Sequence, residues 1–153
     1  TVGVSRTEFF LAKAFVLTCI ALLQVIISLV IAFIPATILN GFGAMPDGFV
    51  GNLLITISLQ FLCLLAWLSI VSFILYVSHS YLAVFIGYLV SSILLSMPML
   101  IFPSIKILPY LSLQFFYAMT ANSESIFYTL IVSLAVIVIF NLSGLAVFKK
   151  KSL

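Results

Sequence analysis

The sequence predicts an all-α integral membrane protein: a polytopic helical bundle with four transmembrane helices and a short outer helical segment. Hydrophobic residues make up 65% of the 153-residue chain and charged residues only 6%, with a mean hydropathy of +1.46. Soluble domains carry about 25% charged residues. In addition, four charge-free stretches are each long enough to cross a hydrocarbon core of roughly 30 Å as a helix. Helices are predicted because backbone groups in lipid must be paired internally, and the alternating strands of a membrane barrel are absent.

The four spans form one transmembrane domain. The first covers about 14–39 and is broken by the Asn40-Gly sequence, and Met45-Pro-Asp-Gly48 is predicted to be a turn. The second covers about 53–77, and Ser78-His79-Ser80 forms a short hinge into the third, about 81–101. The fourth covers about 126–148. In the third span, Pro98 removes one backbone donor and is expected to kink the helix near its outer end.

The positions of the basic residues predict the orientation. Arg6 and Lys13 precede the first span, three lysines (149–151) follow the last, and Lys106 stands alone on the opposite side. Because cytoplasmic loops carry the excess of Lys and Arg, both ends of the chain are expected to be cytoplasmic. No basic face interleaved with aromatic residues occurs, so nucleic-acid binding is set aside.

The segment 103–123 is too short for two further spans and too apolar for a solvated loop. It contains Pro103, Pro109 and several aromatic residues. We expect one or two short helices that lie at the outer interface or dip into it, with Pro109 in a first helical turn. An ordered hydrophobic loop packed over the spans is the alternative.

Residues 1–13 have the character of a cytoplasmic loop that enters a helix. Ser5 or Thr7 is predicted to cap that helix, and Glu8 would lie in its first turn. Because the chain begins at Thr1 without an initiator Met, we expect it to be a piece of a longer protein.

The motifs of several function classes are missing from the sequence. There is no P-loop, no dinucleotide-binding glycine motif and no H-E-x-x-H, and one histidine and two cysteines do not make a usual zinc site. The two thiols, Cys19 and Cys63, are expected at different depths, so no disulfide is predicted. No span contains an ionisable residue apart from His79 at a turn, which argues against proton coupling. We therefore expect no enzyme activity and no cofactor. For His79, a polar helix cap is favoured over a gate or pH sensor.

Polar and small residues within the spans are the remaining candidates. Gln24 and Ser28, and Thr56 and Gln60, are i,i+4 pairs that each share one helix face. They are candidates for a translocation path or a dimer interface, although interhelical hydrogen bonds worth about 0.6 kcal/mol each are the favoured interpretation. A ridge of small residues on the third span permits close helix contact, within the chain or between chains. It consists of Ala83, Gly87 and Ser91.

The opening sequence, Gly3-Val-Ser5-Arg6-Thr-Glu-Phe-Phe-Leu-Ala-Lys13, resembles the cytoplasmic entry to the third span of ABC-2 type permeases. In that family a small residue, Ser-Arg, several residues and a Lys precede a long apolar helix. The order of spans, turns and outer segment is also similar, so the resemblance covers the whole chain but only the last four of the family's six spans.

The resemblance implies the permease subunit of an ABC exporter, which works as a dimer with two separate ATP-binding cassette ATPase subunits. Arg6, Glu8 and Lys13 would then lie beside the element that contacts the ATPase, although anchoring to lipid headgroups is the favoured role for the two cations. The apolar segment 108–119 would match the family's short outer re-entrant helices. Small permeases of this shape resemble those for lantibiotic or bacitracin-like immunity in bacterial plasma membranes, which suggests an amphipathic cargo by analogy alone.

Two hypotheses from different classes follow. The leading one is a transport subunit that exports a hydrophobic or amphipathic compound with ATP hydrolysed by a partner chain. The alternative is a non-transport assembly or sensor subunit whose spans pack against a partner. A membrane-embedded enzyme is disfavoured because no acid, base and nucleophile are clustered in the sequence.

Overall fold

The computed structural model describes residues 5–41, 43, 48–113 and 123–150, without the side chains of residues 6, 40, 123 and 124. This part of the chain is helical and contains no strand. Its elements are α1 (Arg6–Asn40), α2 (Phe49–Ser78), α3 (Tyr81–Ile101), α4 (Leu108–Leu111) and α5 (Ser123–Lys150).

Four of these helices are long and apolar enough to cross a membrane, which confirms the all-α polytopic bundle. The qualifying segments are Thr7–Leu39, Phe49–Ser78, Tyr81–Ile101 and Ser125–Lys150. Three of the helices begin several residues before the predicted apolar spans. The helix α1, for example, has 35 residues and is therefore about 52 Å long at 1.5 Å per residue. Hydropathy detects the part of a helix that lies in lipid, whereas capping and backbone pairing decide where the helix ends.

A complete capping box starts α1 at Ser5. The Ser5 hydroxyl accepts a hydrogen bond from the Glu8 backbone N–H at 3.2 Å, and the Glu8 carboxylate accepts one from the Ser5 N–H at 2.8 Å. This arrangement satisfies two backbone donors that a helix start leaves unpaired. Of the two predicted caps, Ser5 is the one used.

The hinge between α2 and α3 is a left-handed residue. His79 has φ 54° and ψ 18°, and its N–H donates to the Leu75 carbonyl at 2.9 Å. This closes the last turn of α2, and α3 begins two residues later at Tyr81. The two helices are consequently antiparallel neighbours.

The helix α2 is the centre of the bundle. It packs most extensively against α5, then against α3, and then against α1. The main hydrophobic cluster lies between α2 and α5 and comprises Ala66, Ile70, Leu113, Val132 and Val136. No side chain of α3 is buried, and among the described side chains of α1 only Phe10 and Ala21 are. The outer helices α1 and α3 therefore leave most of their apolar surface exposed.

The described part of the outer segment turns back into the bundle. Its only regular element is the single turn α4, with Pro109 in the first turn. Leu113, two residues after the end of α4, is 2% exposed and belongs to the main cluster together with Val132. Val132 lies about 14 Å along α5 from the first residue of that helix. Leu113 has φ 52°, a left-handed conformation uncommon for a non-glycine residue. Residues 114–122, which complete the predicted segment, lie outside the described residues.

Both ends of the described chain meet at one end of the bundle. The Phe9 ring near the start of α1 stacks against Phe148 near the end of α5 at 6.0 Å between ring centroids. Phe10 packs against Tyr76 at 5.4 Å, and Tyr76 meets Phe148 edge-on at 5.8 Å. Because the two ends of the described chain lie at the same end of the bundle, the chain between them must run along the bundle an even number of times. The four long helices meet this requirement.

Candidate functional site: the groove between the first two helices

A groove of about 440 Å³ lies between α1 and α2. Three of the four polar residues predicted to line a path or a helix interface meet in it: Gln24 and Ser28 from α1, and Gln60 from α2. The remaining walls are aliphatic. They are formed by Val25, Leu29, Ala32 and Leu64.

Helical periodicity and an antiparallel register bring these polar groups together. Gln24 and Ser28 are one turn apart and therefore project from the same face of α1. Gln60 lies on the facing helix and is half-buried, whereas Gln24 and Ser28 are exposed. Gln24 lies near the midpoint of α1 (Arg6–Asn40), so the polar groups are near the middle of the helix length and far from the charged residues at its start.

Thr56 does not line the groove. Its hydroxyl donates to the Asn52 carbonyl of its own helix at 2.8 Å. Such local bonding satisfies a hydroxyl in lipid without any partner helix. The predicted pairing of Thr56 with Gln60 therefore places two residues on one face, but only Gln60 lines the groove.

The polar groups of the groove are neutral and have no partner within the described chain. The side chains of Gln24, Ser28 and Gln60 form no hydrogen bond with any described residue. No ionisable residue lines the groove. An unpaired amide in an apolar medium costs about 2–7 kcal/mol, so water, a ligand or another chain is expected to satisfy these groups.

A second, smaller cavity of about 110 Å³ lies where α1, α2 and α5 meet. Its polar wall includes Asn141, whose Nδ2 donates to the Ser69 Oγ at 2.9 Å and to the Ile137 carbonyl at 2.8 Å. The Ser69 hydroxyl in turn donates to the Leu65 carbonyl at 2.9 Å. These polar groups are satisfied and hold two helices together. The sequence shows that Ser69 and Asn141 lie within spans, but it does not show that they meet.

The candidate coupling residues lie at the end of the bundle where the chain ends meet. The Lys13 ammonium lies 4.6 Å from the centroid of the Phe9 ring and 6.0 Å from that of Phe148. Glu8 belongs to the capping box, and the side chain of Arg6 lies outside the described residues. The Phe9–Lys13 contact follows from i,i+4 spacing, whereas the contact with Phe148 joins distant parts of the sequence and was missed.

The ridge of small residues on α3 faces α2 of the same chain at Gly87. A Cβ atom added to Gly87 would lie 3.0 Å from both Cδ1 and Cγ2 of Ile74. One turn of helix to either side, Ala83 and Ser91 are half-buried. The neighbouring Tyr88 packs its ring 5.0 Å from that of Trp67 on α2. The close approach that Gly87 permits is therefore a contact within the chain.

The described residues contain no group of three or more His, Cys, Asp or Glu side chains that would hold a metal ion. Cys19 is exposed and Cys63 is buried, with its Sγ 3.5 Å from the Ser133 Oγ. Comparison of the chain with protein-family models, curated proteins and solved structures finds no match. Four apolar helices nevertheless identify the chain as a multi-pass membrane protein.

Proposed function

We propose that the chain is the membrane-spanning subunit of an ABC exporter and moves a hydrophobic or amphipathic compound with ATP hydrolysed by a separate subunit. An antimicrobial peptide is one candidate cargo, by analogy with the immunity permeases that the sequence resembles. The proposed setting is a bacterial plasma membrane, with both ends of the chain in the cytoplasm. The proposed partners are an ATP-binding cassette ATPase and a second permease subunit, identical or related.

The observation that supports this proposal best is the groove between α1 and α2. It offers unpaired neutral polar groups, Gln24, Ser28 and Gln60, on otherwise aliphatic walls. A path for an amphipathic cargo needs such a surface. Ion coupling, by contrast, usually places ionisable residues within the spans.

The opening segment supports the proposed ATPase partner. The resemblance to ABC-2 permeases is carried by the residues around Ser5, Arg6 and Lys13. In the structure Glu8 and Lys13 lie at the bundle end that also carries Lys149 and Lys150. A capped, charged helix start beside the last turn of α5 is a suitable contact surface for a peripheral subunit.

Co-purification tests the proposal. The tagged chain is extracted from its native membrane in mild detergent, and associated proteins are identified by mass spectrometry. We expect a P-loop ATPase whose activity in the complex rises with an amphipathic peptide. A Lys13→Gln variant is expected to retain less ATPase than Lys106→Gln, its control at the opposite end of the bundle.

Two outcomes would contradict the proposal. Absence of any associated ATPase would favour the assembly or sensor subunit. Association without stimulation by any hydrophobic or amphipathic compound would show that the ATPase serves a purpose other than export of such a cargo. Equal retention by the Lys13 and Lys106 variants would remove Lys13 from the contact surface.

A further inference from the structure

The groove between α1 and α2 has the chemistry of a ligand site with a definable specificity. We infer that it binds an uncharged amphiphile whose polar group both donates and accepts hydrogen bonds, such as a long-chain primary amide. The inference that the groove binds such a molecule depends only on the groove. The further statement that this molecule is the exported cargo rests on the proposed function.

The polar groups of the groove converge from two walls. Gln24 and Ser28 project from α1, and the half-buried Gln60 projects from α2 into the same space. Each glutamine offers two donor hydrogens and an acceptor oxygen, and the serine offers one donor and further acceptor capacity. A primary amide is complementary to a carboxamide because each supplies the donor and the acceptor that the other lacks.

The walls offer no counter-charge to a charged headgroup. No acidic, basic or histidine side chain lines the groove, and in α1 the nearest charged residue is Lys13, about 16 Å from Gln24 along the helix axis at 1.5 Å per residue. A carboxylate or ammonium placed there would be desolvated without a counter-ion, which is strongly unfavourable. The groove therefore discriminates by charge even though it carries none.

The size and composition of the groove fit a small ligand. Its volume of about 440 Å³ falls in the range of about 300–1,000 Å³ that is usual for small-molecule sites. Val25, Leu29 and Leu64 supply the aliphatic contacts that an alkyl chain needs. Gln60 is half-buried between two contacting helices. A slender molecule can reach it, whereas the backbone of a neighbouring helix would have to remain outside the groove.

Photoaffinity labelling of the full chain in lipid nanodiscs tests this inference. The probe is oleamide that carries a diazirine on its alkyl chain, and labelled peptides are mapped by mass spectrometry. Competitors of matched chain length are oleamide, oleate and oleylamine. We expect labelling on α1 and α2 beside the groove, displaced by oleamide at a concentration at least about tenfold lower than the other two require, since a tenfold ratio corresponds to about 1.4 kcal/mol.

Two variants separate the site from general lipid exposure. The double variant Gln24→Leu, Gln60→Leu is expected to reduce labelling about tenfold, which corresponds to about 1.4 kcal/mol of binding free energy. This loss is expected even though the substitutions make the two helices more hydrophobic. Thr56→Val is the matched control because its hydroxyl bonds to Asn52 and does not line the groove. Circular dichroism and size-exclusion chromatography confirm that each variant folds.

Three results would overturn the inference. These are labelling spread evenly over lipid-facing helices such as α3, equal competition by oleamide and oleate, and full labelling of the double glutamine variant. A change from dimer to monomer in the double variant, without amide-selective competition, would instead assign the groove to contact with a second copy of the chain. Amide-selective labelling in a chain that recruits no ATPase would retain the site and refute the exporter.

Discussion

The Asn141 side chain on α5 donates a hydrogen bond to the Ser69 hydroxyl on α2 at 2.9 Å, between residues 72 positions apart in the sequence. The bond joins two different spanning helices. A second polar contact on the same seam pairs Cys63 with Ser133 at 3.5 Å. The α2–α5 seam is thus specified by polar contacts as well as by apolar packing.

Removal of this bond is expected to weaken the bundle modestly. Asn141→Leu and Ser69→Ala should each lower the free energy of unfolding, with a coupling energy of about 0.6 kcal/mol, because interhelical bonds in membranes average that value. A double-mutant cycle measured by SDS-induced unfolding in mixed micelles checks this. Additive single effects would show that the two side chains do not support each other.

Thr129 on α5 gives a prediction of opposite sign. Its side chain is 4% exposed, and its hydroxyl has no hydrogen-bond partner among the described residues. Thr129→Val keeps the shape and removes the unpaired hydroxyl, so it is expected to raise the free energy of unfolding by about 1 kcal/mol. The same micellar unfolding assay measures it, with Ser133→Ala as the control that loses the contact with Cys63. A destabilised Thr129→Val variant would indicate a bound water or other partner at this hydroxyl.

Gly87 is predicted to tolerate no large side chain. Gly87→Leu would force atoms into Ile74, which already lies 3.0 Å from the position of a Cβ atom, and overpacking of this kind costs about 1–3 kcal/mol. The pairing of Gly87→Leu with Ile74→Ala should recover part of the loss. Gly51→Leu on α2 is the matched control, because nothing lies within 4 Å of its Cβ position. Equal effects at the two glycines would refute the close α2–α3 contact.

The positions of the helix ends predict sidedness that can be measured directly. In a background without Cys19 and Cys63, single cysteines at Ser80 and Lys149 should react with an impermeant maleimide from the same side of the membrane. A cysteine at Lys106 should react only from the other side. The physical reason is that α2 and α5 end at the bundle end where Tyr76 meets Phe148, whereas Lys106 follows the far end of α3. Labelling of Ser80 and Lys149 from opposite sides would exclude the four-helix topology.

Local signals were enough to predict the four long helices of this fold. Apolar length predicts the four spans, and a cap at Ser5 or Thr7 with Glu8 in the first turn was predicted for α1, because both properties belong to neighbouring residues. The i,i+4 rule likewise placed Gln24 and Ser28 on one face. That Gln60 joins them required the register between α1 and α2, which hydropathy does not contain.

The features that sequence reasoning missed depend on tertiary contacts. Two contacts, between Lys13 and Phe148 and between Ser69 and Asn141, join residues from distant parts of the chain. The sequence could not predict them, because many other pairings of polar and aromatic residues were equally compatible with the four spans. Leu113 is a different case: its left-handed backbone is disfavoured locally and is offset by burial of its side chain in the main cluster. A propensity argument points away from such a conformation.

The uneven burial of α1 has a mechanical consequence. Both of its buried described side chains, Phe10 and Ala21, lie in its first half. Beyond Ala21 the helix extends for about 28 Å at 1.5 Å per residue, and its described side chains there are at most half-buried, along one wall of the groove. Its start, by contrast, packs into the aromatic cluster of Phe9, Phe10, Tyr76 and Phe148. Each degree by which α1 tilts about the aromatic cluster would displace its far end by about half an ångström over that length. Packing at the start of α1 therefore has a large effect on the lateral position of its far end.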